Sequence, residues 1–342
     1  METGGIESHI LEFCKNLKVQ KNAMIDLIIP NSEMSSSTAK EFDQFCNHVF
    51  ILRERNPKKR LLWLVKVAIK LSLMRYDALY TNGLGNSVKF ISNLFNYKKW
   101  VHHHHTSGDI IDQSRWSKHY IRSLISADNV IACSTKNAQN VSKALNRTID
   151  YLPCFSRQFL IPAKKDFTKP MQFGYFGRLI PEKGIDILCR LSEDSEMKDI
   201  HFNIWGEGEK YEPNFFNQFK NLKYQGKFST REELQEVLQY LDAFILLTTH
   251  SEGLPISLLE CMSAGLPWLA TNKGGIPDIA CDPIATRVVD HDISYPDIKI
   301  ALLQFVENIQ STENINKKQM QLYQSNFSAT ALAEKWKNVL TD

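Results

Sequence analysis

Short apolar runs alternate with amphipathic stretches along most of the 342 residues. A compact apolar run bounded by turn residues reads as a buried strand, whereas apolar positions three and four apart read as one face of a helix. In the first half the strand pattern occurs at Ala23–Ile29, His48–Leu52, Ala78–Thr81, Trp100–His104 and Val130–Ser134. Helical patterns at 5–18, 57–75, 112–126 and 135–145 lie between them. A second series of strands follows at Gln172–Phe176, Phe202–Trp205, Leu222–Gln225, Ala243–Leu247, Pro267–Ala270 and Thr286–Val289. Helices at 183–193, 230–241, 256–264 and 274–280 separate these, and the tail from Tyr295 is helical.

Asp150–Pro170, with Pro153, Pro162 and Pro170, follows neither period and reads as a linker. The alternation predicts an α/β fold with parallel sheets, in two Rossmann-like domains facing a central cleft. The expected boundaries are 1–152 for the first domain, 153–170 for the linker and 171–325 for the second domain. A terminal helix, 326–342, is expected to pack back on the first domain. A doubly wound domain ordinarily opens with a strand that feeds a glycine turn. Here the turn Gly4-Gly5 comes almost at once, so the first domain is expected to lack its first strand.

Composition narrows the class. No apolar run approaches the roughly 18–20 residues that cross a bilayer, and the polar start from Met1 to His9 is unlike a signal peptide. The seven cysteines are scattered, with no Cys-x-x-Cys pair, which predicts reduced thiols in a cytoplasmic protein. Charge is uneven. Residues 1–153 carry 21 Lys and Arg against 13 Asp and Glu, leaving 20 against 25 in the remainder. A basic first half suits an anionic partner such as a membrane surface or a pyrophosphate lipid. No basic arm or nucleic-acid motif is present, so nucleic acid is not an expected partner.

Two segments carry candidate chemistry. Gly174-Tyr175-Phe176-Gly177-Arg178, continuing to Lys183-Gly184, is a strand, a glycine turn and a helix start. Amides at such a turn suit an anion, and Arg178 and Lys183 add two cations that could hold a diphosphate. An ordinary strand–helix turn with two surface cations is the alternative. The second segment is His250-Ser251-Glu252-Gly253-Leu254-Pro255-Ile256, in which a helix begins near Pro255 and contains Glu260. Two carboxylates so placed could accept hydrogen bonds from the hydroxyls of ribose and hexose. Gly253 and Leu254 would offer amides at the helix start. The alternative makes Glu252 a turn residue and Glu260 a solvated one.

Arg-x4-Lys after a glycine turn, then Glu-x7-Glu inside EGLPISLLECMSAGLPWLATNKGGIPDI, resembles the GT-B glycosyltransferases of family 4. The resemblance is dense from 171 to 280 and thinner elsewhere. It implies that Glu260 binds the nucleotide ribose, and that Glu252 faces the donor sugar and diphosphate. It implies that Arg178 and Lys183 bind the diphosphate, and that the amides from Gly253 through Leu254 and Pro255 to Ile256 approach the donor. Gly177, Gly206 and Gly226 fall where the family lines its donor and nucleotide pocket. Thr3-Gly4-Gly5-Ile6-Glu7-Ser8-His9 resembles the family's GGxExH loop, which would bring Gly4 and Gly5 to the donor from the other wall. The run His102 to His105 resembles the family's strand-end histidine, which faces the donor sugar. A strand alternates faces, so at most two of the four can do so, and His104 is the candidate. Asp109 is a weaker candidate for a base on the acceptor side.

Other signals are set aside. No carboxylate or cysteine near the histidine run completes a metal site in the sequence, so no metal is expected. Asp290-His291-Asp292 lies too late in the second series to be a metal string. Gly83-Leu84-Gly85 lacks the third glycine of a dinucleotide turn. The basic stretch Pro57–Arg75 is amphipathic. It fits a helix covering the sheet, and it also fits a membrane-surface helix with Trp63 and the leucines dipping in.

The expected activity is retaining transfer of a hexosyl or N-acetylhexosaminyl unit from a nucleoside diphosphate sugar, UDP by family habit. The acceptor is expected to be a hydroxyl of a lipid-linked or polysaccharide chain at the inner face of the cytoplasmic membrane. No cofactor and no metal are implied. A non-catalytic nucleotide-sugar-binding scaffold and a sugar-nucleotide epimerase are the alternatives.

Overall fold

The computed structural model describes residues 5–29, 36–54, 56–83, 92–161, 167 and 169–341. The chain divides into two compact units, Ile6–Phe155 with Ala329–Asp342 and Ser156–Ser328. Both units are built on parallel sheets.

The amino-terminal unit runs α1 (Gly5–Lys21), β1 (Asp26–Ile29), α2 (Ser36–Asp43), β2 (His48–Ile51), α3 (Pro57–Leu71), β3 (Arg75–Asn82) and β4 (Asn96–His104). It continues α4 (Ile110–Gln113), α5 (Lys118–Ser126), β5 (Asn129–Ala132), α6 (Thr135–Leu145) and β6 (Asp150–Tyr151). Strands β1 and β2 pair with each other, while β3-β4-β5-β6 form a separate sheet. Alternation along β4 and β5 splits their side chains between two cores. Trp100, Val130 and Ala132 pack with Trp116, Tyr120 and Leu124 on one face. Val101 and Ile131 pack with Phe13, Leu152 and Phe155 on the other, where the last helix, Ala329–Thr341, supplies Leu332, Trp336 and Leu340.

Three expectations for this unit need correction. Residues 112–126 are not one helix. Ser117 caps a new helix, its hydroxyl accepting the Tyr120 N–H at 3.0 Å, so the chain breaks between α4 and α5. The helix expected over 57–75 ends at Leu71, and Arg75 already pairs with Asn96 in β3–β4. The stretch expected to be a linker from Asp150 opens with a strand, because Asp150 and Tyr151 pair with Ile131 and Ala132. Cys154 and Phe155 then lie buried in the first unit, while Ser156 and Phe159 are buried in the second.

The carboxy-terminal unit runs β7 (Met171–Phe176), a 3-10 turn (Pro181–Lys183), α7 (Ile185–Ser192), β8 (Ile200–Trp205), β9 (Leu222–Gly226), α8 (Arg231–Tyr240) and β10 (Ala243–Leu246). It ends α9 (Ile256–Ser263), β11 (Trp268–Thr271), α10 (Ile276–Ile279), β12 (Thr286–Val289), α11 (Tyr295–Ser311) and α12 (Ile315–Asn326). The strand order is β12-β11-β10-β7-β8-β9. Ala243–Leu246 and Trp268–Thr271 are buried at every position, as strands covered by helices on both faces must be. The chain starts in mid-sheet at β7, winds outward through β8 and β9, and then returns to β10 on the other side of β7. The crevice at the carboxyl ends of β7 and β10 is therefore the topological switch point, where open α/β sheets bind ligands.

Candidate functional site

The switch point collects the segments that the sequence singled out. Gly177 and Arg178 follow β7, and the 3-10 turn behind them ends in Lys183. Glu252 lies in the turn after β10, just before α9. Backbone bonds stitch the two turns together: the Thr249 N–H donates to Glu182 O at 2.8 Å, and the Thr248 hydroxyl donates to the same oxygen at 3.0 Å. Gly184, at φ +76°, closes the β7 turn. A Cβ there would stand 2.1 Å from Leu247 O, so only glycine lets the turn lie against the end of β10.

This fit brings Lys183 Nζ within 2.6 Å of Glu252 Oε1. The two side chains are only 14% and 10% exposed, so the pair is largely shielded from water. His250 Nε2 lies 3.7 Å from the same oxygen. Burial opposes the charge on Glu252, but the Lys183 ammonium and His250 outweigh it and hold the carboxyl below its usual pKa. Glu252 is thus an anion, able to accept a hydroxyl hydrogen bond.

Arg178 is exposed. Its backbone oxygen accepts the buried Tyr175 hydroxyl at 2.8 Å, which fixes the turn and leaves the guanidinium outside. Burial, followed by the Glu252 charge, raises the Tyr175 pKa, so that hydroxyl stays protonated.

Gly206 and Gly226 close the ends of β8 and β9 beside this turn. The Gly177 N–H donates to Trp205 O at 3.1 Å, and the Gly206 N–H donates to Gly226 O at 2.9 Å. Gly253 is half-buried, whereas Leu254, Pro255 and Ile256 are buried at the start of α9. Pro255 at its N-cap has no side-chain acceptor, and of the first-turn amides Leu258 N–H donates to Pro255 O at 3.1 Å. Glu260, in α9, is only 6% exposed, which excludes the solvated reading of this residue.

Gly274 is a positioning residue that the sequence analysis passed over. At φ +57° it packs on the Glu252 backbone, where a Cβ would meet Glu252 O at 1.9 Å, and the next amide, Gly275 N–H, donates to that oxygen at 3.2 Å. The Gly-Gly pair after β11 was the available signal.

The amino-terminal candidates are placed differently. Gly4 lies outside the described residues, and Gly5 is the exposed first residue of α1. His104 is 1% exposed and both its ring nitrogens are engaged. Nδ1 lies 2.7 Å from the Tyr120 hydroxyl, and Nε2 lies 3.0 Å from the Thr106 hydroxyl and 3.5 Å from Asp112. Asp109 caps α4, its carboxylate accepting the Asp112 N–H at 2.9 Å. The fold does bring a carboxylate and two thiols beside the histidine run. Asp112 meets His104, and Cys133 and Cys154 lie beside His105.

Residues 156–322 match the family of glycosyl transferases group 1. An uncharacterized glycosyltransferase of Methanocaldococcus jannaschii is 28% identical over 143 residues, 40% of this chain and 38% of that protein. The poly(ribitol-phosphate) alpha-N-acetylglucosaminyltransferase of Staphylococcus aureus is 26% identical over 186 residues, 52% of this chain and 36% of that protein. The matched stretches thus span well under half of those relatives' lengths. Among solved structures, Anabaena HepE in complex with UDP-glucose is similar with a TM-score of 0.72 at 17% identity, over 99% of this chain and 96% of that one. The shared fold is GT-B.

Proposed function

We propose that the protein transfers a hexosyl or N-acetylhexosaminyl unit from a UDP-sugar to a hydroxyl of a lipid-linked or polysaccharide acceptor, with retention of anomeric configuration and without a metal. The observation that carries this reading is the Lys183–Glu252 pair at the switch point, with Arg178 free of ion pairs to described residues in the adjacent turn. A departing nucleoside diphosphate gains negative charge as the glycosidic bond breaks. Arg178 grips it in a bidentate manner, Lys183 meets it as a point charge, and the amino end of α9 adds a preorganised positive end.

Glu252 accepts a sugar hydroxyl and holds Lys183 in place until the diphosphate arrives. Glu260 accepts hydrogen bonds from the ribose. Glu252 is not assigned as a covalent nucleophile, since the leaving phosphate can itself take the acceptor proton. Two names support the substrate class: the S. aureus relative is named for N-acetylglucosaminyl transfer to poly(ribitol-phosphate), and the HepE structure holds UDP-glucose.

Contact with a membrane surface is part of the proposal. Among the described residues no helix is long and apolar enough to cross a membrane. On α3, however, Leu61, Leu62 and Ile69 are 53%, 56% and 68% exposed beside Lys59, Lys66 and Lys70. Trp63, which the sequence suggested as an inserting residue, is partly buried instead.

The deciding experiment is incubation with UDP-glucose and UDP-N-acetylglucosamine and a panel of polyprenyl-linked and polyol-phosphate acceptors, with the new linkage read by NMR. An α-linked product formed in the presence of a chelator supports the reading. A β-linked product, or turnover only with added divalent metal, refutes retention or metal independence respectively.

A further inference from the structure

The buried chemistry of the amino-terminal unit that this reaction does not use converges at the carboxyl ends of three neighbouring strands. His103 lies in β4 and His105 just beyond it, Cys133 follows β5, and Cys154 follows β6. His103, Cys133 and Cys154 are 0%, 1% and 2% exposed. We propose that these four side chains form a closed, four-coordinate site for a zinc-class divalent metal, which fastens β4, β5 and the segment after β6 together.

The spacing fits one ion. One ligand atom from each of the four residues lies within 4.8 Å of all the others. His105 Nδ1 is 3.6 Å from Cys154 Sγ and 3.8 Å from Cys133 Sγ. In a tetrahedral zinc site, with bonds of about 2.0–2.1 Å to nitrogen and 2.3 Å to sulfur, nitrogen and sulfur ligands stand about 3.6 Å apart. Those contacts already match, and the wider members need to close in by about an ångström.

The protons point the same way. His9 Nδ1 accepts the Phe155 N–H at 2.8 Å, so the neutral His9 ring carries its proton on Nε2 and donates it to Tyr80 Oη at 2.9 Å. The Tyr80 hydroxyl then donates to His103 Nδ1 at 2.8 Å. That leaves the His103 proton on Nε2, a buried atom with no hydrogen-bond partner, and His105 Nε2 is buried and unpartnered as well. Among the described residues His103 Nε2 thus has no acceptor beside a pair of thiols, which is costly as a plain core, while His105 already turns Nδ1 to both sulfurs.

A metal ion would engage the orphaned His103 nitrogen, with His105 ligating through Nδ1. His103 ligates through Nε2, its proton moves to Nδ1, and that N–H donates a hydrogen bond to Tyr80 Oη once the hydroxyl turns, which orients the ring as an outer partner commonly does. The two thiols ionise, release two protons, and their charges cancel the dication, so the filled site is neutral and suited to burial.

The test uses the full chain, reduced and purified without a metal-binding tag. It is loaded with zinc, exchanged into metal-free buffer and assayed for zinc by mass spectrometry, and in parallel it is titrated with cobalt(II). The expected result is one zinc per chain and a cobalt spectrum with thiolate charge-transfer bands and the strong visible absorption of tetrahedral geometry. Both should be lost in Cys133→Ser/Cys154→Ser. The wild-type cobalt spectrum decides the matter even if that variant does not fold. Failure of the reduced wild type to take up either metal overturns the proposal, as does a weak six-coordinate cobalt spectrum or uptake unchanged in a folded double variant. None of these readouts depends on the transfer reaction.

Discussion

Lys183 Nζ stands 2.6 Å from Glu252 Oε1, joining the cation that follows β7 to the carboxylate that follows β10 across the centre of the second sheet. If Lys183 stabilises the leaving diphosphate, Lys183→Ala loses that contact and also leaves a buried carboxylate unpaired. Removal of one preorganised contact to developing charge costs about 10²–10³ in kcat. Arg178→Ala removes an exposed cation and should lower turnover similarly while leaving the unfolding temperature nearly unchanged. Steady-state kinetics with the UDP-sugar, beside thermal melts of both variants, tests this. Turnover within tenfold of wild type for Arg178→Ala would take the arginine out of the chemistry.

The same pair sets a pH dependence. The Glu252 carboxyl has a lower pKa in the fold than in the unfolded chain, because Lys183 and His250 outweigh the penalty of its burial. Such a group adds stability above its unfolded-state pKa, about 4.3 for glutamate, and loses it as the pH falls through the lower folded value. Glu252→Gln should therefore cost about 1–3 kcal/mol near neutrality. The gap from wild type should stay level down to about pH 5 and narrow below about pH 4. Urea unfolding of both proteins across this range checks it. A gap that widens on acidification would mean that the carboxylate is not held ionised by its neighbours.

Gly274 carries a purely steric prediction. Its backbone sits at φ +57°, and a Cβ would lie 1.9 Å from Glu252 O, a contact with main chain that cannot swing away. Gly274→Ala should destabilise the carboxy-terminal unit by about 2 kcal/mol or more, as forced left-handed backbone combined with a clash generally does. It should also weaken UDP binding, because the Glu252 turn must move. Denaturant titration with and without UDP reads both effects, and an alanine variant as stable as wild type would show that the turn adapts.

Glu260 gives the most direct probe of the proposed nucleotide site. A ligand at ~100 times its dissociation constant stabilises its binder by about 2.7 kcal/mol. UDP should raise the melting temperature of the wild type, and Glu260→Ala should erase most of that shift without unfolding the protein. An equal shift in the variant would place the ribose elsewhere.

The parts of this picture visible in the sequence are those encoded locally. Strand β7, its glycine turn and the two cations lie within one short run, as do the β10 turn and Glu252, so these two turns could be read residue by residue. What the sequence left open depends on pairing between distant segments. Alternation separates His102 and His104 from His103 and His105, but it does not say which pair meets which core. That is decided by Tyr120 of α5 on one side and Trp336 of the last helix on the other. Cys133 and Cys154 reach the histidines only because β5 lies between β4 and β6, and β6 is a two-residue strand with no periodic signal of its own. Exposure of the α3 leucines is likewise a property of what fails to cover them.

That exposed stripe is open to a lipid-binding test. Leu61, Leu62, Val65 and Ile69 recur at spacings that keep them on one side of α3, and they are 53%, 56%, 39% and 68% exposed. Val67 and Leu71 are buried on the opposite side, so packing and the proposed membrane contact use different faces of the helix. Basic residues near an anionic bilayer contribute about 1 kcal/mol each, and burial of an exposed leucine or isoleucine side chain adds about 1.5–3 kcal/mol. The full chain should co-sediment with vesicles containing phosphatidylglycerol far more than with phosphatidylcholine alone, and high salt should weaken the binding. Leu62→Glu/Ile69→Glu should release the protein from the vesicles while its melting temperature holds, because neither side chain supports the core. Equal binding to both kinds of vesicle would deny the charge term, and undiminished binding by the variant would deny this face of the helix its role.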